Sequence, residues 1–243
     1  MPSKGTKNPI SQNDKTSMSE LIIKRRYTDL AFYEATEPPK FRAKRAELMR
    51  RFGRFVEQAV ESSNIPLIVL QAIILVENGQ LDPNYINKNT LATGLLQITP
   101  NTATDTVFRE KRANKLTKEE NAILTRFGID ASKYRSIAPK LDANGKQQKW
   151  YSSNEGLLIT QNQLISPEIN ISIGAIYISQ LIDEFTEDNL VRMDKVILKY
   201  NRGINYRVPS LNTSELIDNT TSIEAKNYIL KGTGKYGMLE TLA

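Results

Sequence analysis

The chain has 243 residues, 40% of them apolar, which is enough for one sizeable hydrophobic core. It contains neither cysteine nor histidine. This composition excludes Cys–His and Ser–His nucleophilic sites and removes the usual zinc ligands, so neither a metal nor a cofactor is expected. The net charge of +6 is carried by residues 1–60, because acidic and basic side chains balance in the remainder. The rest of the chain is therefore not expected to form a basic surface that binds nucleic acid.

The first 18 residues are rich in Ser, Lys, Asn and Gly, which is typical of a mobile tail. A helix is predicted over residues 20–33 and ends before the prolines at 38 and 39. Residues 1–16 contain no apolar stretch of the kind found in a signal peptide, so we expect synthesis in the cytoplasm without general secretory export. The longest apolar run, residues 65–76, is too short to span a bilayer.

A second helix is predicted over residues 42–60, which together with the tail forms an N-terminal extension, residues 1–60. Its apolar residues recur at helical spacing, with most arginines off that stripe; the stripe comprises Leu48, Phe52, Phe55 and Ala59. The basic segment 40–54 is interpreted either as a solvated helix face or as a surface that contacts a membrane, a nucleic acid or an acidic face of another protein.

The next helix, residues 65–78, is apolar almost all round, which indicates a helix buried in the centre of a domain. Pro66 suits its first turn, and Gly79 is predicted to end it. Glu77 is the carboxylate of its last turn. The domain that starts here is expected to cover residues 61–243.

Further helices follow a Thr99-Pro100 start, over 166–185, 194–200 and 222–231, the last two closed by glycine. Between them, about 104–158, the chain is polar with weak periodicity, and we interpret this stretch as an insertion with one or two short helices. Strand patterns are scarce. The sequence therefore predicts a mainly α fold.

Glu77 has the surroundings that a general acid needs. Apolar neighbours desolvate a carboxylate, and the negative end of a helix dipole also disfavours the anion. Both effects hold the proton on the carboxyl group up to higher pH, as in glycosidases that protonate a glycosidic oxygen. The alternative interpretation is an ordinary helix-end residue whose carboxylate reaches water.

Five elements recur in order along the chain: ENGQ at 77–80, GLLQITPNTA at 94–103, NISIGAIYI at 170–178, YNRG at 200–203 and EAKNYI at 224–229. Together they resemble the motifs of the soluble lytic transglycosylase catalytic domain over roughly residues 65–239, with Leu96 in place of the usual Met. The resemblance implies a lysozyme-like, goose-type α domain that acts on peptidoglycan glycan strands.

The resemblance also implies roles for individual residues. Glu77 would protonate the oxygen between N-acetylmuramic acid and N-acetylglucosamine and then act as base. The acetamido group would assist, and the C6 hydroxyl would attack to leave a 1,6-anhydro sugar, so one carboxylate suffices. Tyr200 would orient the carboxyl or the acetamido group. The implied substrate-binding residues are Gly94, Leu96, Gln97, Thr90, Tyr200, Asn201, Glu224 and Tyr228.

The chain departs from the family pattern in the loop between Glu77 and Gly94, which is two residues longer and lacks the family's serines. The residues that could replace those serines are Asn87, Asn89 and Thr90. The insertion could form a lid, an extra cleft wall or a docking surface. Trp150 and Tyr151 within it could stack on sugar rings, although an aromatic pair in a loop is more often explained by local packing.

Other functions remain open from sequence. A goose-type hydrolase would need a second carboxylate to position water, with Asp82, Asp105 or an acid of the insertion as candidates. A virion structural protein could retain the scaffold without chemistry, and a nucleic-acid module rests only on residues 40–54. Because no export signal is expected, an enzyme that cuts peptidoglycan would have to reach its substrate by another route. This favours a phage protein, associated with the virion, that acts at the bacterial cell wall. The basic segment 40–54 could then contact other virion proteins, the membrane or the anionic wall.

Overall fold

A computed structural model describes residues 38–134, 158–187, 190–233 and 237–239. Most of these residues are helical, which confirms the mainly α fold class. The helices are α1 Pro38–Ser63, α2 Leu67–Glu77, α3 Pro100–Arg112, α4 Lys118–Arg126, α5 Gln161–Leu164, α6 Pro167–Glu184, α7 Met193–Arg202, α8 Thr213–Asn219 and α9 Ile223–Thr233, with a 3-10 turn at Ala131–Lys133. Two short antiparallel strands, β1 Thr186–Glu187 and β2 Leu190–Val191, join α6 to α7.

Helix α1 begins four residues earlier than predicted and packs on α6 and α2. Its buried stripe consists of Leu48, Phe52, Val56 and Ala59. The predicted Phe55 is only partly buried, with Arg54 over its ring. Because α1 shares the main core, residues 41–63 pack with the rest of the chain. The separation of residues 1–60 as an extension stays a prediction, since 1–37 lie outside the described residues.

Helix α2 lies at the centre of the fold, where every residue from Ile68 to Leu75 is buried. It contacts α1 on one side and α9 on the other. The predicted stop at Gly79 is wrong: the chain leaves the helix through Asn78, and Gly79 does not adopt a left-handed backbone. Across the described part of the chain, no helix has the length and apolarity needed to cross a membrane.

Helix α6 is the second central element and contacts α1, α3, α4, α5 and α7. Twelve of its residues are buried, because neighbours cover it on most sides. At its middle, Gly174 faces the loop 94–98. A Cβ at this position would collide with Leu96 Cδ1 and approach Ile98 Cδ1 to 3.1 Å. The absence of a side chain at this position therefore lets the loop 94–98 pack directly on the helix.

The predicted insertion at about 104–158 begins inside α3 in the structure. Ala103 and Val107 belong to the main hydrophobic core, and α3 packs on α6. Helix α4 starts with a capping box in which Thr117 and Glu120 exchange hydrogen bonds, and Ser63 Oγ donates to Glu120 Oε1 at 2.8 Å. Residues up to Tyr134 therefore pack in the core. Residues 135–157, including Trp150 and Tyr151, lie outside the described residues.

The C-terminal helices carry two features that the sequence did not predict. Helix α8 buries Leu216 and Ile217 in a small second cluster between α7 and α9. Gly232, predicted to end the last helix, lies within α9, where a Cβ would meet Ile197 Cδ1 at 2.5 Å. A glycine in that position serves close packing of α9 on α7.

We expect Gly174→Ala to destabilise the protein by about 1–2 kcal/mol. The gain in helix propensity, about 1 kcal/mol, is outweighed by overpacking against Leu96 and Ile98, which typically costs about 1–3 kcal/mol. The matched control is Gly53→Ala in α1, where a Cβ would meet only the flexible Met49 side chain at 3.4 Å. That variant should be neutral or more stable. Denaturant unfolding measures both; equal stabilisation by the two changes would contradict the packing argument.

Candidate active site

Glu77 is placed by the end of α2, and the residue after it anchors that end. Asn78 Nδ2 donates to the carbonyl oxygens of Asp82 at 2.7 Å and Gly94 at 3.1 Å. Its Oδ1 accepts the amide N–H of Asp82 at 3.2 Å. One buried asparagine therefore satisfies backbone groups on two loop segments and fixes the position of Glu77 relative to the segment that starts at Gly94.

The loop that carries the GLLQ sequence is held by a second buried asparagine. Asn170 of α6 donates through Nδ2 to Thr93 O at 2.9 Å and accepts Leu96 N–H through Oδ1 at 2.9 Å. Gly94 has φ +78°, and a Cβ there would collide with the Asn170 side chain and Leu164 O. Glycine is required at this position both for its backbone conformation and for the close approach of α6.

A cleft of about 630 Å³ opens in front of Glu77. Its walls combine apolar groups with neutral hydrogen-bonding side chains and a few charges. The described lining residues are Glu77, Asn87, Thr90, Leu91, Ala92, Gln97, Ile98, Thr99, Pro100, Asn101, Thr102, Asp105, Leu158, Tyr177, Tyr200, Asn201, Arg202, Gly203, Ile204, Asn205 and Glu224. The many hydroxyl and amide side chains of the wall suit a ligand rich in hydroxyl and amide groups.

Burial raises the pKa of Glu77 to about 7, with desolvation as the main cause. Three groups of α9 adjust it further. Tyr228 donates its hydroxyl to Glu77 Oε1 at 2.5 Å and lowers the pKa, the charge of Glu224 raises it, and the charge of Lys231 lowers it. These three residues recur at helical spacing on one face of α9. Glu77 therefore exchanges its proton near neutral pH.

The two other tyrosines of the cleft have different partners. Tyr200 donates its hydroxyl to Leu96 O at 2.7 Å, so it supports the GLLQ loop rather than the Glu77 carboxyl. Its ring lies 5.2 Å from that of Tyr177, measured between centroids. The Tyr177 hydroxyl is buried in the cleft wall and has no hydrogen-bond partner among the described residues. Burial raises the pKa of all three tyrosines, so each remains a neutral donor.

Of the candidate second carboxylates among the described residues, Asp105 is at the cleft and Asp82 is not, while Asp142 and Glu155 of the insertion lie outside the described residues. Asp105 lines the cleft and forms an ion pair with Arg109, 2.6 Å from carboxylate oxygen to Nε. Asp82 is exposed, is absent from the lining residues, and accepts the amide N–H of Asn84 at 3.0 Å. Nowhere in the described ranges do three or more carboxylates cluster as metal ligands.

Most of the residues implied by the motifs converge on this cleft: Glu77, Thr90, Gln97, Tyr200, Asn201 and Glu224 line it. Three do not line it. Gly94 and Leu96 are buried behind the wall, where both contact α6. Tyr228 is not a lining residue but reaches Glu77 from α9. Of the substitutes for the family's serines, Asn87 uses Oδ1 to accept the amides of Asn89 and Thr90.

Sequence reasoning missed other lining residues. Asn101 and Thr102 belong to the GLLQITPNTA element, Tyr177 to NISIGAIYI and Arg202 to YNRG, but none of them was singled out. Asn205 lies outside the five elements. The substrate-binding roles of the whole set stay predictions.

The Glu77 pKa can be tested without any assumption about activity. Tyr228→Phe removes the hydrogen bond that stabilises the anion, so we expect a pKa above about 7. Glu224→Gln removes a like charge, so we expect a lower pKa than in the wild type. The measurement is a carbon-13 NMR titration of labelled glutamate carboxyl groups, assigned with Glu77→Gln. Shifts in the same direction for the two variants, or a wild-type pKa near 4.5, would contradict this account.

Comparison with known proteins finds a similarity at the level of solved structures. No protein-family model matches the chain, and no curated protein matches it. Among solved structures, the chain is similar to the 70 kDa soluble lytic transglycosylase of Escherichia coli, with a TM-score of 0.43 and 18% sequence identity. The match covers 90% of this chain and 29% of that enzyme, so the chain spans less than a third of the length of the structure it matches.

Proposed function

We propose that the chain is a peptidoglycan lytic transglycosylase that cleaves the β-1,4 bond between N-acetylmuramic acid and N-acetylglucosamine. The observation that carries the proposal is the position of Glu77: a carboxyl group with a pKa raised to about 7 at the floor of a cleft whose walls are rich in neutral hydrogen-bonding groups. The glycosidic bond can be cleaved only when a proton reaches its leaving oxygen, and Glu77 supplies that proton.

The first step is protonation of the leaving oxygen by Glu77. General acid catalysis is most effective when the pKa of the acid is close to the working pH. The acid is then largely protonated and can still transfer its proton readily. An exposed glutamate, with a pKa near 4.3, is almost entirely ionised at neutral pH. Burial on α2 removes this obstacle, while the Tyr228 hydroxyl stabilises the carboxylate that forms when the proton leaves.

The second step requires a base and a nucleophile. The carboxylate left on Glu77 takes the proton of the C6 hydroxyl as that oxygen bonds to C1, which closes the 1,6-anhydro ring and restores the acid. The acetamido carbonyl of the same sugar stabilises the developing positive charge at C1, which is the substrate-assisted exception to catalysis by two carboxylates.

Substrate binding is assigned to the neutral side chains of the walls. Gln97, Asn101, Asn201 and Asn205 present amides, and Thr90 presents a hydroxyl. Gln97 Nε2 already donates to Gly94 O at 2.8 Å, which leaves its carbonyl oxygen to accept from a sugar hydroxyl. Amides and hydroxyls match the hydroxyl and acetamido groups of a glycan without placing unpaired charges against it.

One observation favours a hydrolase as the second candidate. Asp105 lines the same cleft as Glu77 and could position a water molecule, as an inverting glycosidase requires. Its carboxylate is already engaged in an ion pair with Arg109. The two reactions differ in product: hydrolysis leaves a reducing end, whereas transglycosylation leaves an anhydro end lighter by one water.

The cell wall as the place of action is part of the same proposal. Association with a virion, and contact of the basic segment 40–54 with virion proteins or membrane, stay predictions from sequence. The reading as a virion structural protein without chemistry is the alternative that a failed activity assay would support.

The direct test is digestion of purified peptidoglycan sacculi, with the released muropeptides resolved by mass. The wild type should release 1,6-anhydro products, and Glu77→Gln should lower the rate by about 100-fold or more, the usual effect of losing a general acid. Glu61→Gln, which changes an exposed acid on α1, serves as the matched control and should retain activity.

Asp105→Asn separates the two enzymatic readings. Under the proposal it keeps anhydro products, whereas a hydrolase would give reducing ends in the wild type and lose them in this variant. Equal release by wild type and Glu77→Gln would refute catalysis by Glu77. Thermal unfolding of each variant checks that a lost activity does not reflect a lost fold.

A further inference from the structure

One basic side chain lines the cleft among the described residues. Its walls carry the acids Glu77, Asp105 and Glu224 and many neutral polar groups, but Arg202 is the single cation. The uncharged side chains of the wall can bind the hydroxyl and amide groups of a neutral glycan, whereas a guanidinium is suited to an anionic group as well. Arg202 is therefore the lining residue that points to an anionic part of the ligand.

Arg202 is held in place without losing its charge. It is the last residue of α7 and precedes Gly203, whose φ of +87° turns the chain away from the helix. Its guanidinium lies 5.2 Å from the ring centroid of Tyr206, a contact that orients an arginine without neutralising it. By contrast Lys199, one turn earlier, is largely buried and pairs with Glu184 at 2.7 Å.

Arg202 faces the same cleft as Glu77 but is not one of the charges that shift the pKa of Glu77. Those charges belong to Glu224 and Lys231. Arg202 follows Asn201 directly in the chain, and both line the cleft. An anionic group of a ligand that extends along the cleft would therefore meet the Arg202 charge.

We propose that Arg202 forms a subsite for a carboxylate of the acidic peptide attached to the glycan strand. This inference rests on the proposed function and narrows its substrate to peptide-bearing strands. The amide link to the peptide removes the charge of the lactyl group, so the carboxylates of such a strand belong to the peptide. Arginine is suited to them because its planar fork binds a carboxylate through two parallel hydrogen bonds.

The test compares sacculi with sacculi whose carboxylates have been coupled to ethanolamine by carbodiimide. Arg202→Gln should lower kcat/KM on untreated sacculi by about tenfold, mainly through KM, which is the effect of one charge-assisted hydrogen bond. On neutralised sacculi, wild type and variant should differ by less than about twofold. Arg202→Lys, which keeps the charge but loses the fork, should fall between them.

Arg207→Gln is the matched control, because Arg207 is an exposed arginine nearby that does not line the cleft. The subsite is refuted if Arg202→Gln has no effect on untreated sacculi, if its loss is the same on both substrates, or if Arg207→Gln causes an equal loss. The last two outcomes would indicate a structural or a general surface effect.

The subsite and the proposed function can fail separately. If the wild type releases nothing from either substrate, the proposed function fails, and co-sedimentation of the full chain with the two kinds of sacculi then decides the subsite. Weaker binding of Arg202→Gln to untreated sacculi alone would support it. Equal binding of wild type and variant to untreated sacculi would overturn it.

Discussion

The hydrogen bond between Tyr228 and Glu77 connects helix α9 to the end of α2, and it depends on the burial of that end. Residues 68–75 of α2 are buried, and the carboxyl group at its last residue, although it lines the cleft, loses most of its hydration and keeps its proton to higher pH. Full burial without a partner would hold that proton too tightly for catalysis. The Tyr228 hydroxyl moderates the effect, and Glu224 and Lys231 on the same face of α9 act in opposite directions.

The remaining scaffold positions a cleft in front of this carboxyl group. Asn78 ties the end of α2 to the GLLQ loop, and Asn170 ties the same loop to α6. Buried asparagines suit this task because each side chain can donate and accept toward backbone groups that would otherwise be unpaired. Tyr200 adds a third attachment through Leu96 O. The end of α2, helix α6 and helix α7 are thereby attached to the same loop.

Sequence reasoning predicted the elements whose signals are local. The apolar run of α2, the Thr99 cap and the spacing in α6 are written in neighbouring residues, and the structure has helices in each place. Glu77 could be singled out because its surroundings on the helix already imply desolvation. The assignment of tyrosines could not be made in this way. Tyr228 lies 151 residues from Glu77, and only the packing of α9 on α2 shows that it, rather than Tyr200, holds the carboxyl.

Two predictions from sequence were wrong for the same physical reason: the start of an insertion inside α3 and the end of α9 at Gly232. Thr104, Asp105 and Glu110 are buried with hydrogen-bond or ion-pair partners, so a polar pattern hides a core helix. Gly232 lies inside α9, where close approach to α7 outweighs its low helix propensity. In both cases tertiary contacts overrule a local preference.

The central claim is that Glu77, held by Tyr228, is the group that delivers the proton. The pH dependence of kcat/KM on sacculi tests it most directly in wild type and Tyr228→Phe. The account predicts a wild-type rate that falls as pH rises through about 7, with the midpoint moved to higher pH in the variant because the anion has lost its donor. A descending limb that stays at the same pH in both proteins would contradict it.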